Sequence, residues 1–357
     1  MYASRGEGCR IWDVDGNEHI DMICALGAIA LGYGAIEQGT AESYDGGLYS
    51  LPSFLEVTTA ELVLSHVAPW ASSVRFVKTG SESTHAAYRI AKRATGRPFV
   101  LVGDWAYHGW HEWCERRPNR QPELFHTILY KHCERFDQTL GHGVHPLNVD
   151  PEEVAAIFIE PHRWELVDPA WLRFVREFCS AHGIVLVFDD MIYGGRFSLG
   201  GATELFGVTP DLACFGKAFA NGAPVAFVVG REALQEHGEL VSGTYSGETY
   251  GLAACAATIR TYAQSPVIET LWERGEQLQA GLRDVVKASP VTVALEGAPV
   301  HQRLRFGDPA NGKKFAAAMA QRGVLWHPDV VNVMAAHEPA DIDAVISAAH
   351  EAIQGLA

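Results

Sequence analysis

Residues 210–230, "PDLACFGKAFANGAPVAFVVG", decide how the chain is to be read. The apolar run "DLACFG" reads as a strand, a bend with Asn221 and Gly222 follows, and "APVAFVVG" reads as a second strand. Between them stands one lysine, Lys217, with no acidic side chain within several positions. A lysine at the end of a buried strand either snorkels to water along its own methylenes or is desolvated and reactive. The stretch alone leaves both readings open.

On either side, apolar segments alternate with helical ones. "SVRFV", "PFVLVGD", "VAAIFIEP" and "IVLVFDD" are near-continuous apolar runs. The helices between them include one with Ala86, Ala87, Ile90 and Ala94 turned inward, closing at Gly96, and "PAWLRFVREFCSAHG", closing at Gly183. Strands of this kind alternating with helices predict an α/β fold with a mostly parallel sheet covered on both faces. Residues 9–21 predict a hairpin around Asp15-Gly16. Residues 105–150, rich in His, Trp and Pro, predict long loops around one or two short elements. Beyond about residue 265 the pattern changes to a helix, short strands and two helices around "GVLWHP". The expected division is an N-terminal hairpin segment, 1–37, packing with a small α+β domain, 266–357, and a large domain, 38–265.

The 357 residues carry 43 acidic and 28 basic side chains, a formal charge of −15. That balance disfavours a nucleic-acid backbone or an anionic membrane as the main partner. Seven scattered cysteines, odd in number and without a Cys-x-x-Cys, predict a reduced, cytoplasmic setting. No signal peptide is expected from "MYASRGEGCRIWD", and no apolar run is long enough to span a bilayer. His108, His111 and Cys114 fall three apart, but this is no finger spacing, and no metal is expected.

In open α/β sheets, ligands bind outside the carboxyl ends of the strands. Three such ends carry unusual groups: "KTGSES", "FDD" and "FGK". Gly80 and Ser81, where a helix begins, would cradle a phosphate on free amides and the positive helix end, although an ordinary serine cap reads the same way. Asp189 is either a loop carboxylate or the partner that keeps a heteroaromatic nitrogen protonated. A phosphate cradle, a carboxylate and a desolvated lysine together are what pyridoxal 5′-phosphate (PLP) requires.

The chain resembles the class III, fold type I PLP-dependent aminotransferases, and within them the glutamate-1-semialdehyde aminomutase branch. The resemblance runs nearly end to end through "IWDVDGNEHID", "FLEVTTAELV", "VRFVKTGSES", "RIAKRATGRP", "YHG", "FIEP", "LVFDDMIYGGRF", "PDLACFGKAFANGAPVA", "GTYSGETYGLAA" and "AAHEPADID". It implies a fold type I large domain with a smaller α+β domain formed by the chain termini. It implies transfer of an amino group between an amino donor and a carbonyl acceptor, with a 2,1-aminomutase or an amino-acid epimerase as alternatives and a silent binding protein as a remote one. Lys217 would be the Schiff-base lysine and proton carrier, Asp189 the ring-nitrogen partner, and Gly80 and Ser81 the phosphate pair. Tyr107 would stack on the ring, with His108 beside it and Glu160 near the cofactor. Thr244 would reach the phosphate of the neighbouring subunit, implying a homodimer.

The chain departs from the family pattern at several points. Asp190 and Met191 replace the usual Glu-Val, Ile192 is apolar as in the aminomutase branch, Gly195 replaces an aromatic, and Glu248 stands in "SGE" where "SGN" is commoner. Leu26 replaces a tryptophan of the aminomutase pocket, and "YHGWHEWC" is rebuilt after its first three residues. Leu26, Trp164, Arg303 and Arg305 are candidate substrate residues; His301, His162 and Arg163 are weaker ones.

Overall fold

The computed structural model describes residues 1–36, 47–115, 126–132, 134, 136, 149–161, 164–231 and 236–356. The chain forms two compact units: Met1–Glu42 with Thr261–Ala357, and Ser43–Arg260.

Strands β1 (Ala3–Glu7), β2 (Arg10–Asp13) and β3 (Glu18–Asp21) form an antiparallel meander. Its second turn closes because Asp13 Oδ1 accepts from the backbone N–H groups of Asp15 and Asn17, at 3.0 and 2.9 Å. Gly16 sits there at φ 85°, a conformation that side-chain-bearing residues rarely adopt.

The unit Ser43–Arg260 opens with helix α1 (Phe54–Leu62), which runs on as a π-helical segment Val63–Val67 and ends before Pro69. Strand β4 (Ser73–Val77) leads into α2 (Gly80–Thr95), followed by β5 (Phe99–Gly103) and β6 (Thr127–Tyr130). Strand β7 (Val154–Ile159), α3 (Pro169–His182), β8 (Val185–Asp189), the short α4 (Gly201–Phe206), β9 (Leu212–Phe215), β10 (Ala226–Gly230) and α5 (Thr249–Gln264) complete it. Helix α3 is delimited as its sequence dictates: Asp168 caps it by accepting from Ala170 N at 2.8 Å, Pro169 occupies its first turn, and Gly183 ends it at φ 62°.

The seven strands lie in the order β4-β10-β9-β8-β7-β5-β6. All pairs from β9 to β6 are parallel, while β10 is antiparallel to both neighbours. Two antiparallel steps restore direction, so β4 ends on the same edge of the sheet as β8 and β9. Every residue of β7, β8 and β9 is buried, which is why these strands read as unbroken apolar runs. Helix α2 meets the sheet through Ala86, Ala87, Ile90 and Ala91. Ala94, expected on that face, is only half-buried in the last turn, where the helix leaves the sheet for its Gly96 cap.

The other unit continues with α6 (Val267–Lys287), β11 (Val293–Ala298), β12 (His301–Phe306), α7 (Pro309–Ala320), β13 (Val324–Leu325), β14 (Val331–Asn332) and α8 (Pro339–Gln354). The N-terminal strands join this end of the chain: the sheet β1-β2-β3-β13 closes through a parallel β3–β13 pair, beside a second sheet β11-β12-β14. Asp341 of α8 accepts from Arg10 Nη2 at 2.6 Å and from Cys9 Sγ at 3.3 Å, tying β2 to that helix. No helix among the described residues is long and apolar enough to cross a membrane.

Candidate active site

Strand register brings the three sequence-marked ends together. Asp189 of β8 lies opposite Cys214 of β9, so Lys217 stands three residues beyond the level of that carboxylate. Val77 of β4 pairs with Ala226, and Phe227 pairs with Phe215, so Val77 and Gly216 occupy neighbouring levels across β10. Gly80 therefore leaves the sheet where Lys217 does. Met191 closes the junction. A β-carbon on Gly80 would meet Met191 Sδ at 2.8 Å, and one on Gly216 would meet it at 2.9 Å. The thioether thus packs on the backbone of both glycines, filling the gap between the 80, 191 and 216 corners.

Asp189 and His108 are each 2% exposed, and Asp189 Oδ2 lies 2.7 Å from His108 Nδ1. Asp189 Oδ1 accepts from Met191 N at 3.2 Å. A carboxylate can only accept here, so Nδ1 carries the proton and donates it. His108 Nε2 has no partner among the described residues. The imidazole is held in place: its ring is parallel to Trp113 and tilted against Phe158, and Thr84 Oγ1 donates to His108 O at 2.6 Å. The preceding residue is anchored as well, since Tyr107 N donates to Glu160 Oε2 at 2.8 Å. Tyr107 itself is 49% exposed, and Glu160 is buried.

Lys217 adopts φ 48° and begins a 3-10 turn, Lys217–Ala220, that ends at Asn221 with φ 43°. A β-carbon-bearing residue in the left-handed region is strained, and such residues concentrate at functional sites. The turn holds because Ala218, Phe219 and Ala220 are buried, with Phe219 packed against Phe215 and Phe227. Lys217 is half-buried.

The start of α2 answers whether Ser81 is a simple cap. The cap is Thr79, which accepts from Glu82 N at 3.2 Å, while Glu82 Oε2 accepts from the backbone N–H of Thr79 at 2.8 Å and of Lys78 at 2.9 Å. This box leaves the N–H groups of Gly80 and Ser81 out of the capping bonds, at the positive end of a sixteen-residue helix. Ser81 Oγ accepts from Trp110 N at 3.3 Å and presses on Gly109, whose φ of 107° admits no side chain there. The 107–110 loop is thereby clamped between cradle and carboxylate.

Other sequence-marked residues fall as follows. Ile192 and Trp164 are half-buried, and Thr244 is exposed on the turn 244–247. Leu26, in the terminal unit, is 52% exposed with φ 58°, in a run of positive φ from Cys24 to Gly27. Arg303 and Arg305 share one carboxylate: Arg303 donates to Glu296 Oε2 at 2.9 and 2.6 Å, and Arg305 donates to Glu296 Oε1. His301 is buried on Asn332. His162 and Arg163 lie outside the described residues. Among the described residues no group of His, Cys, Asp or Glu is arranged to hold a metal; His111 stacks on His85 and Trp110 instead.

Three features escaped the sequence reading. One is the His108–Asp189 pair, hinted at only by adjacency to Tyr107. A second is an ion pair between Lys78 Nζ and Glu248 Oε1, at 3.0 Å. The third is Asp190, fully buried beside Asp189. Its Oδ1 accepts from Ala202 N at 2.8 Å and its Oδ2 has no partner among the described residues. Burial pushes its carboxyl up to about 8, against the pull of the Ala202 N–H and with a further push from Asp189.

A buried, imidazole-anchored carboxylate, a lysine on a strained bend and a helix start with spare amides are the parts that hold PLP in fold type I enzymes, and the residues present fit that cofactor. The chain belongs to the aminotransferase class-III family, whose model matches residues 1–114 and 121–353. It is a PLP-dependent transaminase. It is 33% identical over 313 residues to a 3-aminobutyryl-CoA aminotransferase of Cloacimonas acidaminovorans, covering 84% of this chain and 74% of that one. It is 30% identical over 397 residues to a glutamate-1-semialdehyde 2,1-aminomutase of Syntrophobacter fumaroxidans, covering 99% and 90%. Among solved structures, the PLP internal aldimine form of the Sphingopyxis sp. MTA144 FumI protein matches with a TM-score of 0.89 at 28% identity, over 99% of this chain and 88% of that one. An omega-transaminase from Sphaerobacter thermophilus matches in fold, with a TM-score of 0.88 at 23% identity, over 99% and 91%.

Proposed function

We propose that the chain moves an amino group from an amino donor to a separate carbonyl acceptor, with Lys217 as the base, working in the cytoplasm as a homodimer. The observation that carries this reading is the packing of Met191 on Gly80 and on Gly216, the residue before Lys217, with Asp189 accepting from Met191 N. When bound, PLP supplies an electron sink for the charge left when a proton is removed beside the substrate nitrogen. The Lys217 amine is the group positioned to take that proton and to deliver it elsewhere on the same face. Its strained bend fixes where the side chain leaves the backbone. Asp189, oriented by the Nδ1–H of His108, holds a proton on the ring nitrogen and keeps the sink electron-poor. The Gly80 and Ser81 amides would hold the phosphate, and Met191 and Ile192 would supply apolar contact to the cofactor. Tyr107, whose backbone is held by Glu160, would stack on the cofactor and shield it from water. Thr244, exposed on its turn, is assigned to the neighbouring protomer's phosphate.

Substrate contacts are assigned to Leu26, Trp164, Arg303 and Arg305. Because Glu296 already engages both arginines, a substrate carboxylate there would have to displace it. Likeness to the 3-aminobutyryl-CoA aminotransferase supports a donor whose carbonyl product leaves. A second reading, intramolecular 2,1-amino transfer, is supported by the aminomutase likeness over nearly the whole chain and by apolar Ile192.

The deciding experiment is a screen of amino donors. Release of a carbonyl product and dependence on a second acceptor support the aminotransferase. Conversion of one substrate to its amino-shifted isomer, with no product released, supports the aminomutase, and inversion of the donor alone supports an epimerase. Lys217→Ala abolishes turnover and the absorbance change on adding amine while leaving a folded protein that still binds PLP; normal turnover in that variant overturns the assignment.

A further inference from the structure

Two positions at which this chain carries a charge, Lys78 and Glu248, meet. Lys78 Nζ donates to Glu248 Oε1 at 3.0 Å, and each side chain is only 17% exposed. Neither group is idle otherwise. Lys78 directly precedes Thr79, and its backbone N–H donates to Glu82 Oε2 inside the capping box of α2. Glu248 follows the 244–247 turn and caps α5. Its Oε2 accepts from Tyr250 N and its Oε1 from Gly251 N, both at 2.8 Å. Gly251 is wedged there, since a β-carbon on it would meet Val225 Cγ2 at 2.5 Å and Glu248 Oε1 at 2.8 Å. The carboxylate is therefore pinned by three donors, and the ammonium has little freedom to swing to water.

We propose that Lys78 and Glu248 are a positioning pair, which ties the anion cradle at the start of α2 to the turn that carries Thr244 and so sets how tightly PLP is held. This rests on the reading above that Gly80, Ser81 and Thr244 bind cofactor phosphate. A pair at this depth is screened little by salt, so losing one member strands a charge beside the other and loosens both helix starts. Because Thr244 serves the neighbouring protomer, the pair also connects one cofactor site to the other.

The test is PLP titration of the apoprotein, with thermal unfolding followed in parallel. Lys78→Met and Glu248→Gln each weaken PLP binding by about ten-fold, and the double variant is no weaker than either single. Glu248→Gln keeps only one acceptor oxygen for the two α5 amides, so it is read beside Lys78→Met, which removes the ion pair and leaves both cap bonds in place. Lys78→Arg, which restores the cation, recovers binding to within about three-fold of the parent. Unchanged PLP affinity in the single variants overturns the proposal, as does full additivity in the double or a fall in unfolding temperature alone. Failure of the underlying reading shows separately: Gly80→Val, which drives a side chain into Met191 and the cradle, would then leave PLP affinity intact.

Discussion

Asp189 and Asp190 are neighbours in sequence and face different fates. Asp189 finds an imidazole donor and a backbone N–H, so its charge is compensated. Asp190 has one amide on one oxygen and none on the other, and burial drives its carboxyl to about 8. The unfolded chain releases this proton near 4, whereas the folded chain keeps it to about 8. The folded state therefore binds more protons between these values, and this group's contribution to stability falls as pH rises through that window. Asp190→Asn retains the acceptor for Ala202 N–H and cannot ionise. Its stability relative to the parent is expected to grow from pH 5 to pH 8, by on the order of a few kcal/mol. Urea unfolding of both proteins at the two pH values checks this, and a constant difference would show that Asp190 is ionised in the fold throughout.

At the scale of elements, the beginning of α2 serves two purposes with adjacent residues. Thr79 and Glu82 cap the helix, which leaves Gly80 and Ser81 outside the capping bonds, where the proposed function puts the cofactor phosphate. Thr79→Ala removes the side-chain half of the box and should cost about 1 kcal/mol of stability by denaturant titration. Glu82 still holds the backbone N–H groups of Lys78 and Thr79, so the spare amides keep their direction and PLP affinity should change by less than about three-fold. A large loss of affinity with no loss of stability would mean that Thr79 itself touches the cofactor. The bend 217–221 is the other decisive element: two left-handed residues flank a buried Ala-Phe-Ala, and packing of Phe219 on Phe215 and Phe227 supports the strain.

At the scale of the whole molecule, the assignment of Thr244 to a neighbour's site makes each site the product of two chains. Co-expression of Lys217→Ala with Thr244→Val chains then produces heterodimers in which one site holds an intact lysine and an intact threonine. Activity of the mixture should exceed the sum of the two parents by at least about two-fold, measured after tag-selective purification of heterodimers. Simple averaging of the parents would place Thr244 at its own chain's site or away from both.

The alternation of apolar strands with helices, the strand-end locations of Gly80, Asp189 and Lys217, and the hairpin at Asp15-Gly16 were legible in the sequence, because burial on two faces and turn chemistry leave local signatures. The cap of α2 was not legible, since Thr79 and Ser81 are both competent caps and only backbone geometry chooses Thr79. Pairings across long separations left no local trace: His108 with Asp189, and Lys78 with Glu248. Sequence by itself determined which segments bury and where the chain must bend, through side-chain hydrophobicity and backbone sterics. Only the tertiary structure decided which polar groups meet, because a hydrogen bond or ion pair depends on distances that strand register sets between residues far apart in the chain.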